Sequence, residues 1–394
     1  MAAEPMTQRP GIAAVAGAAA SPTSPPTEVV YRWDLDKTYL QTDFGSLRGL
    51  WRAAVERPQA KLPVPGMRTL MTALSRRRAA RIIVVSGSPT LLRGHIEAMF
   101  QLHGVRCDRL ELKDFGARIA RGRFRSIRAQ VPYKLLAHLQ TRAWLRSEGA
   151  AAPEICFGDD AEVDALVYCL YADIVARRVD ASRLRALLDG CDAYPDERDA
   201  ILRALADLPR EEVVRRVFIH LDSRSPPTRY DSYLGRVVPT FDAFQIVASL
   251  YGDKLCGATE VLAVAEDLVG SWRVDGAGLA GSIEDAVRRG VCPAHAAIEL
   301  VQAVLPMGLP ARAGLDRALV ERTLRRLQVG AAAAAPAPPG PEGPALADLP
   351  YESLWASERA FAETRAMARR LARQTAARLP GLSAFLESGG SHRG

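Results

Sequence analysis

The sequence predicts an α/β protein, a mainly parallel sheet with helices on both faces. Two observations carry the prediction. From residue 28 to about 180, short apolar runs of strand type alternate with longer segments whose apolar residues recur at helical spacing. Three of the strand-type runs end in polar residues: "DLDKT" at 34–38, "SGS" at 86–88 and "GDDAEVD" at 158–164. In a parallel sheet the carboxyl ends of the strands open on one crevice, so residues distant in sequence converge there.

The elements follow in chain order. Residues 1–27 are Ala, Pro and Ser of low complexity, too poor in bulky apolar groups to build a core, and are expected to form a disordered cytoplasmic leader. Glu4 and an apolar run of Ala and Gly rather than Leu and Val argue against a secretory signal. "VVYRW" reads as a strand, "GSLRGLWRAAVE" and "GMRTLMTALSRRRA" as helices, and "RIIVVSG" as a strand ending in Gly. "PTLLRGHIEAMFQLHG" is a helix opened by Pro89 and closed by Gly104, "DRLELKD" a short strand, "YKLLAHLQTRAWLRSEG" a helix with its own Gly stop, and "EICFGDD" a strand running into acidic residues. Three helical segments then fill residues 165–208, and Val217–Leu221 returns to strand character.

From 228 to 328 the pattern is helical, 329–348 is a Pro and Ala linker, and 349–394 holds one arginine-rich helix and a tail. On that last helix Leu354, Phe361, Ala368 and Leu371 fall loosely on one side.

The composition is that of a globular chain, 48% hydrophobic and 25% charged, and no apolar run reaches bilayer-spanning length. Its 52 Lys and Arg against 45 Asp and Glu leave a formal charge of +7, which favours anionic partners. A phosphorylated small molecule or a phospholipid headgroup fits that bias, and no nucleic acid is expected. The six cysteines show no CxxC pair and no metal-ligand spacing, so free thiols in a reducing compartment are expected.

The polar strand ends suit phosphoryl transfer. A carboxylate can attack phosphorus to give an acyl phosphate, splitting one hard displacement into two. Asp34 is the candidate nucleophile. Asp36, two residues on, can protonate the leaving oxygen and then take a proton from water. A hard cation such as Mg2+ would offset the repulsion between the attacking carboxylate and the phosphate. Asp34, Asp36, Asp159, Asp160 and Asp164 are the candidate ligands, with Asp159 the safest of the acidic run and Asp160 alternatively a helix N-cap. Ser86 and the amides of the Ser86–Gly87 turn can bind a phosphate oxygen, and Lys134 can neutralise developing charge. Lys113 near a strand end is its rival. Thr38, Gly87 and Lys113 are the expected substrate contacts.

In this order the motifs resemble those of the haloacid dehalogenase (HAD) superfamily of aspartyl-phosphate phosphohydrolases: Asp34-Leu35-Asp36-Lys37-Thr38, Ser86 after an apolar strand, Lys134 opening a helix, and Gly158-Asp159-Asp160 with Asp164. Within it, "WDLDKTYL", "VVSGSP", "LELKDFG", "CFGDDAEVDALVY" and "RVFIHLD" are similar to the catalytic domain of the actin-patch-associated phosphatidate phosphatases. Thr90 stands where that family carries an aromatic residue, and a helical insert near 180–212 precedes "RVFIHLD". The resemblance implies a HAD-like Rossmannoid domain over 28–227, a Mg2+-dependent phosphatase, and an aspartyl phosphate on Asp34. The alternative, from another class, is a catalytically idle HAD-like module that binds a phosphorylated ligand or a protein. "RIARGRFRSIR" at 118–128, five arginines in eleven positions, and the last helix are the basic segments through which a peripheral membrane or protein contact is expected.

Overall fold

The computed structural model of the chain describes residues 28–41, 63–115, 130–223, 225–333 and 348–378. The leader, the helix expected over 45–56, the basic run at 118–128, most of the linker and the tail beyond 378 lie outside the described residues. No helix among the described residues is long and apolar enough to cross a membrane.

Six strands form one sheet: β1 (Val29–Trp33), β2 (Ala80–Pro89), β3 (Arg109–Lys113), β4 (Glu154–Asp159), β5 (Val214–His220) and β6 (Val237–Thr240). Their order is β3-β2-β1-β4-β5-β6, and every neighbouring pair is parallel. The order steps outward from β1 in both directions, so the crossover helices fall on both faces. β1 sits at the centre with Trp33 opposite Val84 on one side and Phe157 on the other. The predicted α/β class is the observed one.

β6 lies in the stretch that reads as helical from 228. Its sequence, VVPT, contains Pro239, which supplies no ladder donor. As the edge strand, β6 can carry a proline whose missing N–H would break an interior strand.

One face of the sheet presents Tyr31, Trp33, Ile82, Val84, Phe157, Phe218 and Val238 to a single apolar cluster. The rings of Trp33 and Phe157 stack at 4.0 Å and those of Phe157 and Phe218 at 5.6 Å, tying β1, β4 and β5 together. This face is covered by α1 (Met67–Ser75), α2 (Arg93–His103) and the helices that follow β6, α7 (Ala243–Gly252), α8 (Ala258–Ser271) and α9 (Gly276–Arg288). The helical region after β6 is therefore a packing layer of the sheet.

The other face is covered by α3 (Val131–Ser147), α4 (Asp164–Val175), α5 (Ala181–Gly190) and α6 (Pro195–Ala206). Beyond them α10 (Ala294–Glu299) and α11 (Arg317–Ala333) extend the first layer, and α12 (Tyr351–Arg378) docks on the second through Leu349, Tyr351 and Leu354. Of the side expected to be apolar on α12, Leu354 is buried, Phe361 half-buried and Leu371 exposed, so only its first half packs inward. All six cysteines are free, and five are buried.

On the second face β1 turns Arg32 into the core. Its guanidinium pairs with Glu154 of β4 at 2.5 and 2.9 Å and donates to Thr141 of α3 at 2.6 Å. Arg142 shares Glu154 at 3.2 Å. A fully buried arginine is costly unless every donor is matched, and here strand, neighbouring strand and crossover helix match it together. Glu154→Ala leaves two guanidinium groups short of a carboxylate and is expected to cost about 3–5 kcal/mol. Glu363→Ala, which breaks the exposed Arg359–Glu363 pair on α12, should cost at most about 0.5 kcal/mol. Denaturant midpoints of the two variants against the parent check the contrast.

Candidate active site

β1 ends at Trp33 because the chain turns at once. Tyr39 and Leu40 both donate their N–H to the carbonyl of Leu35, Lys37 donates to Leu40 and takes a left-handed φ of 61°. This compact turn buries Asp36 and Thr38 and leaves Asp34 at the strand end, its N–H on the carbonyl of Phe157 at 2.9 Å. β2 ends in a bulge between Ser86 and Pro89. There the Ser86 hydroxyl accepts from the Ser88 amide at 3.0 Å, and both hydroxyls donate to Asp36 Oδ2, Ser88 at 3.0 Å and Ser86 at 3.4 Å.

After β4 the loop winds around Asp159. Its Oδ1 accepts from the amides of Ala161 at 2.5 Å and Glu162 at 3.0 Å, a local turn that returns Glu162 toward β1. Asp164, first residue of α4, accepts the Asp159 amide on Oδ2 at 3.2 Å. This approach requires Gly158, where a Cβ would stand 2.4 Å from that of Asp164.

Lys134 on the first turn of α3 inserts its ammonium among these groups. It donates to Asp34 Oδ1 at 2.8 Å, Glu162 Oε2 at 2.7 Å and Asp164 Oδ1 at 2.5 Å. Burial opposes the charge of Lys134, but the three carboxylates outweigh it and hold its pKa well above the ordinary value. Burial first, then neighbouring carboxylates, push Asp34 and Asp159 well above theirs. Glu162 goes the other way because Lys134 outweighs its burial.

Three carboxylates, those of Asp34, Asp159 and Asp164, offer oxygens within 4.8 Å of one another. Asp34 Oδ2 and Asp159 Oδ2 are buried with no hydrogen-bond partner. Buried carboxylate oxygens without partners, in a cluster with more negative than positive charge, fit a hard divalent cation with oxygen ligands.

The structure thus brings together Asp34, Lys134, Asp159 and Asp164, and sets Asp36, Ser86 and the Gly87 turn alongside. Asp160, expected as a ligand or N-cap, directs its carboxylate to the amides of Ser223 at 2.8 Å and Ser225 at 3.1 Å, pinning the loop after β5. Lys113 ends β3 with its ammonium 5.6 Å from the centre of the Tyr133 ring, while Lys134 takes the ion pair with Asp34. Thr38 is buried in the turn with its hydroxyl unpartnered. Gly87 faces the Gln130 side chain, which a Cβ would meet at 3.0 Å.

Glu162, Ser88, Gln130 and His220 were not singled out by the motifs. Glu162 lay inside "GDDAEVD", but only the turn around Asp159 makes it a Lys134 partner. Gln130 hydrogen-bonds Glu162. His220 ends β5 in register with Asp159, its Nδ1 buried and unpartnered, and burial lowers its pKa.

Fold and site together define a parallel α/β protein with a buried acidic centre at the carboxyl ends of its strands. Residues 33–186 match the family model described as phosphatidate phosphatase APP1, catalytic domain. That stretch contains Asp34, Asp36, Ser86, Lys134, Asp159 and Asp164 and stops within α5, before β5, β6 and every later helix. Among curated proteins and among solved structures nothing matches the chain.

Two outcomes follow from the geometry. Gly158→Ala drives a methyl into Asp164 and should cost about 1–3 kcal/mol, read as a lower denaturant midpoint. Since Asp34 and Asp159 have raised pKa values when folded, the folded chain keeps protons that the unfolded chain releases. Metal-free protein therefore loses stability as pH rises from the unfolded carboxylate value through the folded ones. In chelator, Asp159→Asn should melt above the parent at about pH 7, and the two should converge as pH falls toward about 4.

Proposed function

We propose that the chain is a Mg2+-dependent phosphatase of the HAD type, acting on a phosphate monoester of the phosphatidate class or another bulky anion. The observation that carries this reading is the pair of unpartnered buried oxygens, Asp34 Oδ2 and Asp159 Oδ2, beside a lysine already committed to Asp34 Oδ1. One oxygen of Asp34 is thus oriented by a cation and the other is left free to react. The match of residues 33–186 to a phosphatidate phosphatase catalytic domain supports the substrate class.

Asp34, Asp159 and Asp164 would hold the cation, with Lys134 shared between the first and the last. Bound there, Mg2+ would offset the charge of the incoming phosphate as a Lewis acid. Asp34 attacks phosphorus, the ester P–O bond breaks, and protonated Asp36 gives its proton to the leaving oxygen. Water then cleaves the acyl phosphate after giving a proton to Asp36, which restores both side chains. Ser86 and Ser88, which donate to Asp36 Oδ2, hold that carboxyl in place for both transfers. Lys134 keeps Asp34 oriented and neutralises charge at the phosphate.

Phosphate release is measured on soluble esters and on phosphatidate in mixed micelles, with Mg2+ or chelator. The parent should release phosphate only with Mg2+, and Asp34→Asn should show none. Release undiminished in Asp34→Asn would overturn the mechanism, and tight ligand binding without release by the parent would identify an idle module. Asp36→Asn should lower turnover by about 10²–10⁴-fold on alkyl esters, and by less on aryl esters whose leaving group needs no proton.

A further inference from the structure

Asp160 directs its carboxylate to the loop after β5, and each of its other polar groups is engaged as well. Its amide donates to the His220 carbonyl at 3.0 Å, and its carboxylate takes the amides of Ser223 and Ser225. Its carbonyl accepts from Arg229 Nη1 at 2.9 Å. Asp160 is the pivot of the loop: the residue before it bears the unpartnered Asp159 oxygen, and the two after it wrap their amides around Asp159.

Arg229 lies in the turn Pro227–Tyr233 between β5 and β6 and is itself held from outside. Its second nitrogen pairs with Glu358 of α12, and Tyr233 Oη donates to the same carboxylate at 3.0 Å. Phe361 packs its ring 3.5 Å from the guanidinium carbon. Arg365 reaches the Asp160 carbonyl at 3.4 Å. Glu358, Phe361 and Arg365, spaced by three and four, form the row of α12 that faces the loop.

The rest of the α12 contacts would hold the helix without that row. Tyr351 donates to Asp173 at 2.6 Å, Trp355 to the Gly190 carbonyl at 2.8 Å, and Arg183 pairs with Glu352 at 3.1 Å. A buried carboxylate on an already docked helix, paired with a half-buried guanidinium of the β5–β6 turn, calls for a role at the point where the pair ends, which is Asp160.

Resting on the phosphatase reading above, we propose that α12 is part of the active centre: through Glu358 it clamps Arg229, a positioning residue, on the Asp160 carbonyl and so sets the loop that presents Asp159, Glu162 and Asp164. The hydrogen bond from a guanidinium to a carbonyl is charge-assisted and orients the peptide that follows Asp160. Supporting contacts of this kind govern how well ligands are aimed at a metal. The stretch matched to the phosphatidate phosphatase model includes Asp160 but neither Arg229 nor Glu358, so this chain supplies the clamp from sequence beyond the match.

The test uses the full chain with two paired substitutions, each removing both charges so that none is left buried alone. Arg229→Met with Glu358→Gln breaks the clamp. Arg183→Met with Glu352→Gln loosens α12 where it does not touch the loop. Amide hydrogen exchange over residues 159–164 is read without metal, and Mg2+ affinity by calorimetry. The clamp pair should exchange faster there and bind Mg2+ about 10–100-fold more weakly, with the control pair matching the parent. Arg229→Lys, which keeps one donor for the carbonyl, should fall between. Unchanged exchange in the clamp pair, or equal changes in both pairs, would overturn the proposal. A parent that binds no Mg2+ would refute the metal reading, while the exchange comparison would still decide the clamp.

Discussion

One buried ammonium organises the acidic centre. Lys134 Nζ lies within 2.8 Å of carboxylates from the end of β1, the loop after β4 and the start of α4. With its helix α3 it joins three pieces of chain distant in sequence: the end of β1, the stretch from the β4 loop into α4, and α3 itself. Three donors are what an ammonium has, and all three are used. Its positive charge offsets part of the repulsion among the carboxylates, while burial still holds Asp34 and Asp159 well above their ordinary pKa.

That arrangement depends on backbone register. Parallel pairing of β1 with β4 sets Trp33 against Phe157, so the next residue of each strand, Asp34 and Gly158, meets at the crevice. A side chain at 158 would displace Asp164, so the missing Cβ of one residue is what allows the α4 carboxylate to come close. Stacked rings beneath this level and the Arg32–Glu154 pair on the opposite face keep the two strands from sliding. Core packing and site geometry are thus one constraint seen at two heights of the same strands.

The outer layers differ in what they do. The helices after β6 complete the apolar layer over one face. α12 does the reverse: its first turns pack on α4 and α5, and its middle turns deliver Glu358, Phe361 and Arg365 to the loop beside Asp159. A chain segment some two hundred residues downstream of the acidic loop thereby becomes part of its surroundings.

The alternation of apolar runs and helical segments by itself determined the α/β class, because strand and helix periods are local properties of the chain. The same holds for Asp34, Asp36, Ser86, Lys134, Asp159 and Asp164: each stands at a strand or helix end, and parallel topology sends such ends to one crevice. What lay beyond local pattern was decided in three dimensions. VVPT is too short to register as a strand against the helical stretches around it, and becomes one only because an edge position tolerates Pro239. Asp160 has the same side chain and nearly the same place as Asp159, yet the amides of Ser223 and Ser225 turn it away from the centre. Glu162 and Ser88 join the site through turns whose hydrogen bonds no spacing rule records. Residue type and order name the groups that can do chemistry, and the direction each side chain takes is set by partners distant in sequence, which only the folded chain brings within reach.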